Sequence, residues 1–108
     1  MSLIELNDQT FKTAVPKTGT FMVEFGAVWC PPCKALLPIL NELSGKYGDS
    51  LPIFKVDCDE SPVTAGSYGI MSMPTVIIFH EGEPVEKLVG LRPISAYENV
   101  ISKYMKAA

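Results

Sequence analysis

The apolar positions of the chain fall into two patterns, short continuous runs and stripes at helical spacing. The run from Phe21 to Phe25 is apolar at nearly every position, which predicts a strand buried on both faces. The segment 34–47 places its leucines at helical spacing and predicts an amphipathic helix. Pro38 lies inside this pattern, which continues beyond it, so we expect the proline to kink the helix rather than end it.

The other segments continue the alternation of strands and helices. Ile4 to Leu6 predicts a first strand, and Asn7 or Asp8 is expected to cap a helix that ends at Ala14. Further predicted elements are a strand at 52–56, a short helix at 63–68, a strand at 75–79, a hairpin turn at 81–84, a returning strand at 85–89 and a last helix opened by Pro93 with Tyr97, Ile101, Tyr104 and Met105 on its apolar face. The order βαβαβαββα predicts an α/β fold with a mixed five-stranded sheet flanked by four helices.

Length and composition favour one globular domain over residues 1–108, with 47% hydrophobic and 19% charged residues. The net charge of −3 offers no basic surface, so we expect no nucleic-acid partner. No apolar run approaches the ~20 residues that span a bilayer, so no membrane partner is expected. Glu5, Asn7 and Asp8 interrupt any apolar core of a signal peptide. We expect a cytoplasmic monomer.

Cys30 and Cys33 stand where the apolar run meets the helical pattern. Partial positive charge at a helix N-terminus favours a thiolate, so the pair is a candidate redox dithiol, with two structural thiols as the alternative. Zinc uses the same spacing but normally needs four ligands, and the chain adds only Cys58 and His80; no metal site is therefore expected. Three cysteines also do not make a disulfide framework, which favours the reducing cytosol. Cys58 is expected to be passive, with a regulatory or dimer-forming role as the alternative.

Several separated motifs follow one another along the chain: Val23-Glu24-Phe25, Trp29-Cys30-x-x-Cys33-Lys34, Pro38, Lys55-Val56-Asp57, Met73-Pro74-Thr75, Phe79-His80-Glu81-Gly82 and Gly90. Together they resemble the thioredoxin family over nearly the whole length. The resemblance implies the thioredoxin fold and a protein-disulfide reductase that serves cell redox homeostasis. It also implies that the chain binds no cofactor and receives electrons from NADPH through thioredoxin reductase. The implied substrates are disulfide-containing proteins such as ribonucleotide reductase, methionine sulfoxide reductase and peroxiredoxin.

The dithiol chemistry assigns a role to each cysteine. Cys30, at the helix start, would attack a target disulfide, and Cys33 would resolve the mixed disulfide that results. We expect Cys33, one turn inside the helix, to be the less exposed of the two. Pro31 and Pro32 stand between them, where glycine-proline is typical of the family. Proline lacks an N–H, so Pro31 removes a donor that glycine could aim at the Cys30 sulfur, and we expect a more reducing couple than in a Pro31→Gly variant.

Glu24 is a carboxylate inside an apolar strand, where burial should raise its pKa. It stands where the family has a buried aspartate, and the resemblance implies that it accepts the Cys33 proton through water. The structural alternative is an ion pair with Lys55 on the neighbouring strand. Glutamate is one methylene longer than the family's acid, and Gly26 takes a position that an aromatic residue or serine often fills.

Loop residues around the dithiol are candidates for substrate binding. The resemblance implies a cis peptide bond at Pro74, with the Met73 backbone bonding an extended substrate and Thr75 in support. Trp29 is expected either to shield Cys30, with a partner for its N–H, or to fill the core. An apolar collar for docking partner proteins would comprise Gly26, Ala27, Val28, Ile70, Met71, Met73, Gly90 and Leu91. The alternative is that these loop residues are core contacts.

Two other functions use the same fold. A disulfide oxidase or isomerase usually carries histidine in the dipeptide and a secretion signal, and neither is visible. A non-catalytic interaction module need not keep both cysteines. A reduction potential of about −270 mV would indicate a reductant, and one of about −120 to −180 mV an oxidase or isomerase.

Overall fold

A computed structural model of the chain describes residues 3–105. Its strands are β1 (Ile4–Leu6), β2 (Thr20–Gly26), β3 (Ile53–Asp57), β4 (Thr75–His80) and β5 (Glu83–Val89). Its helices are α1 (Phe11–Ala14), α2 (Pro31–Tyr47), α3 (Pro62–Ser67) and α4 (Ile94–Ile101), with a 3₁₀ turn at Gly48–Ser50. The predicted order βαβαβαββα is confirmed.

The five strands form one mixed sheet in the order β1-β3-β2-β4-β5. The first three strands are parallel, whereas β4 is antiparallel to both β2 and β5. Since β2 and β4 run in opposite directions, the end of β2 lies beside the beginning of β4, with Phe25 opposite Thr75. The topology therefore brings the loop after β2 next to the loop before β4.

Each face of the sheet has its own hydrophobic core, as alternating side chains on a strand require. Along β2, Met22 packs with α2 and α4, whereas Phe21, Val23 and Phe25 pack with Phe11 of α1 on the other face. The predicted burial of β2 on both faces is confirmed, because all seven of its residues are buried. By the same alternation, Glu24 lies on the α2 face.

The first two helices begin at different residues from those predicted. α1 starts at Phe11, because the Asn7 side chain accepts hydrogen bonds from the backbone of Gln9 and Thr10 and holds them in a separate turn. Helix α2 starts at Pro31, three residues before the predicted apolar pattern at 34–47 and directly after Cys30, which was expected at the helix start, since the fixed φ of proline suits the first turn of a helix. It continues through Pro38, as the apolar pattern predicted.

Two boundaries near the C-terminus also differ. The hairpin loop contains only Glu81 and Gly82, both with positive φ, so Pro84 lies in β5 rather than in the turn. Proline is tolerated there because β5 is an edge strand. Helix α4 ends at Ile101, and Tyr104 and Met105 follow it in turns, although both still pack against the α2 core. Within residues 3–105, no helix has the length and apolar character needed to cross a membrane.

Candidate active site

The dithiol lies at the first turn of α2. Cys30 is the N-cap residue, and its sulfur accepts a hydrogen bond from the Cys33 backbone N–H at 3.3 Å. Pro31 and Pro32 fill the first two helical positions and have no N–H, so Cys33 supplies the first donor that the helix can offer this sulfur. Both cysteines are free thiols, which is the reduced form of the pair.

The two thiols are about equally buried, with 4% of Cys30 and 5% of Cys33 exposed. The expectation that Cys33 would be the less exposed is therefore wrong. The reason is that Cys30 packs against Ala27 and Met73 from the neighbouring loops and lies 3.8 Å from the Met73 carbonyl oxygen. Burial raises the pKa of the Cys33 thiol well above its usual value, helped by its hydrogen bond with Cys30 and by the nearby Glu24 carboxylate.

The loop before β4 forms the other wall of the site. Its Met73–Pro74 peptide bond is cis, the form that the resemblance implies. The Pro74 carbonyl accepts a hydrogen bond from the Gly90 N–H at 2.8 Å, and the Thr75 hydroxyl donates to the Ser72 carbonyl at 2.7 Å. These two contacts fix the loop on either side, so the Met73 backbone is held beside Cys30.

Glu24 lies behind the dithiol, with only 2% of its surface exposed. Burial raises its pKa to about 7, although the positive charge of Lys55 opposes the shift and Asp57 adds to it. Glu24, Cys33, Lys55 and Asp57 all line one cavity of about 200 Å³. Glu24 and Lys55 are paired in the sheet register, yet among the described residues no ion pair joins them. The structural alternative of a direct Glu24–Lys55 ion pair is therefore wrong.

Trp29 lies on the surface next to Cys30, with 60% of it exposed, so the alternative of a core role is wrong. Its indole N–H donates to a carboxylate oxygen of Asp59 at 2.6 Å. Sequence reasoning missed Asp59, because the acidic stretch after β3 resembles an ordinary solvated loop. The available signal was topological: β3 lies beside β2, so the loops after these two strands must be neighbours.

The predicted apolar collar is only partly exposed. Val28, Met71 and Leu91 have exposed side chains around the dithiol. Gly26 and Ala27 are buried, Met73 is half-buried against the cysteines, and Ile70 packs with the α1-side core. Gly90 is half-buried at the end of β5. The exposed apolar surface beside Cys30 is therefore formed by Val28, Trp29, Met71 and Leu91.

Cys58 lies outside this surface. It is half-buried, and its backbone N–H donates to the Gly26 carbonyl at 2.8 Å. Burial, together with the negative charges of Glu24, Asp57 and Asp59, raises the pKa of the Cys58 thiol to about 11, which disfavours the reactive thiolate. In the part of the chain that the structure describes, no group of three or more His, Cys, Asp or Glu side chains could hold a metal ion.

A dithiol at a helix start, facing a cis-proline loop on this sheet, defines a thiol–disulfide oxidoreductase. The sequence matches the thioredoxin family profile over residues 2–103. It is 41% identical over 105 residues to the thioredoxins of Staphylococcus epidermidis and Bacillus subtilis, and 40% identical to that of Staphylococcus aureus. Each match covers 97% of this chain and 100% of the relative. The chain belongs to the thioredoxin family.

Proposed function

We propose that the chain is a cytoplasmic protein-disulfide reductase in which Cys30 is the nucleophile and Cys33 the resolving thiol. The observation that carries this assignment is the position of the Cys30 sulfur. It is the N-cap group of α2, accepts the Cys33 N–H, and lies against the Met73 backbone on the substrate side. A helix N-terminus stabilises negative charge on such a sulfur.

The first step is attack by the Cys30 thiolate on a disulfide of the target protein. A bond forms between the Cys30 sulfur and one target sulfur, the target disulfide breaks, and the other target sulfur leaves as a thiolate that takes up a proton. An extended target segment would bond the Met73 backbone, with Thr75 and Gly90 holding that loop in place. The exposed Val28, Trp29, Met71 and Leu91 would cover the apolar surface of the partner.

The second step needs the Cys33 thiolate. Burial raises the pKa of Cys33, so this thiol requires a base, and Glu24 is an ionisable group in the same cavity whose pKa of about 7 suits proton transfer at neutral pH. Once Glu24 has accepted the proton, the Cys33 thiolate attacks the Cys30 sulfur and forms the intramolecular disulfide. The bond between Cys30 and the target breaks, and the second target sulfur leaves as a thiolate that takes up a proton. Lys55 assists because its positive charge favours the carboxylate form of Glu24.

The oxidised pair must then be reduced again. We propose that NADPH supplies the two electrons through thioredoxin reductase, so that the chain itself binds no cofactor. The proposed targets are disulfide-containing proteins such as ribonucleotide reductase, methionine sulfoxide reductase and peroxiredoxin. The chain would act as a monomer with one thioredoxin domain over residues 1–108.

Trapping of the mixed disulfide tests these roles. A Cys33→Ser variant should accumulate a covalent complex with a disulfide-bonded protein through Cys30, whereas a Cys30→Ser variant should not. Cys58→Ser is the matched control and should reduce insulin at the wild-type rate. Trapping through Cys33 instead, or a couple with a potential of about −120 to −180 mV rather than about −270 mV, would contradict the proposal.

A further inference from the structure

Gly26, the last residue of β2, faces the Glu24 side chain and the Cys33 sulfur at once. A Cβ atom placed on Gly26 would overlap the Glu24 Oε2 atom and would lie 3.0 Å from the Cys33 sulfur. It would also lie 3.2 Å from the Glu24 Cδ atom. The carboxylate and the thiol are therefore neighbours across the space that the missing side chain leaves.

Backbone conformation does not explain this glycine. Gly26 lies in β2 and its φ is not positive, so any residue could adopt its backbone geometry. Glycine inside a strand normally weakens it, and it often marks a close approach of another group. Here the approaching group belongs to the same strand two residues earlier, because Glu24 turns its carboxylate toward α2 over the Gly26 backbone.

We propose that Gly26 is a positioning residue for Glu24: the absent side chain gives the glutamate carboxylate the space it needs beside Cys33. Glutamate at position 24 and glycine at position 26 then act as one unit, in which the longer acid requires the smallest neighbour. The inference rests on the proposed role of Glu24 as the base for Cys33. It adds a residue that touches neither the substrate nor the transferred proton.

The charged groups around Glu24 do not hold its carboxylate away from Cys33. The other groups that face the same cavity with a charge or a titrating proton are Glu5 on β1, Lys55 and Asp57 at β3, and Cys33 and Lys34 on α2. Among the described contacts, no hydrogen bond from another side chain and no ion pair holds the Glu24 carboxylate. Its position near Cys33 is therefore set by packing, and the Gly26 backbone is the surface against which it packs.

The test separates the two chemical steps with an aromatic disulfide, 5,5′-dithiobis(2-nitrobenzoate), in a Cys58→Ser background. Attack by Cys30 releases the first coloured thiolate, and resolution by Cys33 releases the second as the protein disulfide closes. Stopped-flow absorbance across pH 5 to 9 therefore reports each step separately in one experiment. The variants are Gly26→Ala, Glu24→Asp, Glu24→Gln, and each Glu24 variant combined with Gly26→Ala.

We expect Gly26→Ala to slow the second phase about tenfold at neutral pH, to change its pH profile, and to leave the first phase unchanged. Glu24→Asp should recover most of that loss in the Gly26→Ala background, because the shorter acid does not reach the added methyl group. In the Glu24→Gln background, Gly26→Ala should cause no further slowing. Gly45→Ala is the matched control, since a Cβ there meets nothing within 4 Å.

The outcomes distinguish this inference from the function on which it rests. An absent first phase in the wild type would contradict the proposed dithiol chemistry, and a normal second phase in Glu24→Gln would contradict the role of Glu24. If both hold, a normal second phase in Gly26→Ala, or equal slowing with Gln at position 24, overturns the inference about Gly26. If Gly26→Ala does not fold, recovery of folding by Glu24→Asp supports the steric coupling, and failure to recover overturns it.

Discussion

The indole N–H of Trp29 donates a hydrogen bond to the carboxylate of Asp59, 30 residues later in sequence. Asp59 lies in the loop after β3, the strand beside β2. This bond holds an exposed aromatic ring in a fixed orientation beside Cys30. We expect Asp59→Ala to loosen the ring and to reduce the rate of insulin reduction by a few fold, because a disordered ring offers a partner less contact at a higher entropic cost.

Trp29 is the single tryptophan of the chain, so its fluorescence reports the change directly. The emission of Asp59→Ala should become more like that of free indole in water, and its anisotropy should fall. Asp49→Ala is the matched control, because Asp49 lies exposed in the 3₁₀ turn. Unchanged fluorescence in Asp59→Ala would show that the hydrogen bond does not orient the ring.

A second long-range contact joins Asp8 to the start of α3. The Asp8 carboxylate accepts hydrogen bonds from the Thr64 N–H at 2.8 Å, from the Thr64 hydroxyl at 2.7 Å and from the Val63 N–H at 3.2 Å. Partial desolvation acts to raise the pKa of Asp8, but the hydrogen bonds from Thr64 and Val63 outweigh it and lower the pKa. A carboxyl group whose pKa is lowered on folding stabilises the fold above its unfolded pKa, and that stabilisation is lost as the pH falls through its folded value.

Asp8→Ala should therefore be less stable than the wild type at pH 7, and the difference should shrink as the pH falls below the usual range of aspartate. Thermal unfolding at pH 7 and at pH 2.5 measures both quantities. Asp49→Ala should change neither the stability at pH 7 nor its dependence on pH. A difference that stays constant with pH would mean that the charge of Asp8 has no part in the cap.

The elements of this fold follow from local sequence, whereas the contacts of Trp29 and Asp8 depend on tertiary structure. The type and order of the five strands and four α-helices among residues 3–105 follow from periodicity together with cap, proline and turn residues, because all of these are local signals. The start of α2 at Pro31 was also predictable from proline at the first helical positions. However, cysteine is an unusual N-cap residue, and the leucines at helical spacing begin only after Cys30.

The missed residues depend on tertiary structure. Asp8 is next to α1 in sequence, yet it caps α3, since β1 and β3 are parallel neighbours and the segments that follow them lie side by side. Asp59 and Gly26 have ordinary local sequences, and their roles follow from which strands are neighbours. The two thiols are equally buried because the loop at Met73, which is distant in sequence, packs on Cys30 together with the nearby Ala27, and helix position alone cannot indicate this contact.

Gly90 has φ of +85°, and its N–H donates to the Pro74 carbonyl in the loop before β4. A Cβ there meets nothing within 4 Å, so Gly90→Ala should cost about 1–2 kcal/mol of stability through backbone strain alone. The strain should also disturb the loop that holds Met73, so we expect a higher KM for protein disulfides with a smaller change in kcat.

Gly19→Ala separates the two effects. Gly19 has φ of +79° with nothing within 4 Å of its Cβ position, and it precedes β2, at the opposite end of that strand from the dithiol. It should lose similar stability in urea denaturation while keeping the wild-type KM. An equal rise in KM for both variants would show that the effect of Gly90 is general destabilisation.

The buried Glu24 should make the reduced protein less stable as the pH rises. Its pKa is 4.5 in the reference state and about 7 in the folded state, so between these values the folded state holds the proton more tightly than the unfolded state does. The contribution of Glu24 to stability is therefore fully present below pH 4.5, falls between about pH 4.5 and 7, and does not change further above that window. The loss is on the order of 3 kcal/mol.

Glu24→Gln removes the ionisation but keeps the side-chain shape. We expect this variant to match the wild type in urea denaturation near pH 4 and to exceed it at pH 8 by most of that amount. Glu42→Gln, an exposed carboxylate on α2, should follow the wild type at both values. If Glu24→Gln kept the pH dependence of the wild type, the titrating group would lie elsewhere.

The position of Cys30 as the N-cap changes the expected effect of the two prolines. A capping side chain accepts hydrogen bonds from the second or third helical N–H, and these positions are Pro32 and Cys33. The N–H that the Cys30 sulfur lacks is therefore the one at position 32, where proline has none. The sequence, compared with the glycine-proline typical of the family, predicted instead that it is the one at position 31. Pro32→Ala would add a second donor to the Cys30 sulfur and stabilise the reduced form.

A hydrogen bond worth about 1 kcal/mol in the reduced form would raise the reduction potential by about 20 mV. Pro31→Ala restores an N–H at the first helical position, which is poorly directed at the cap, so its potential should stay closer to that of the wild type. Equilibration of each variant with glutathione buffers measures the difference. A larger shift for Pro31→Ala than for Pro32→Ala would mean that loop stiffness, rather than the number of donors to Cys30, sets the potential.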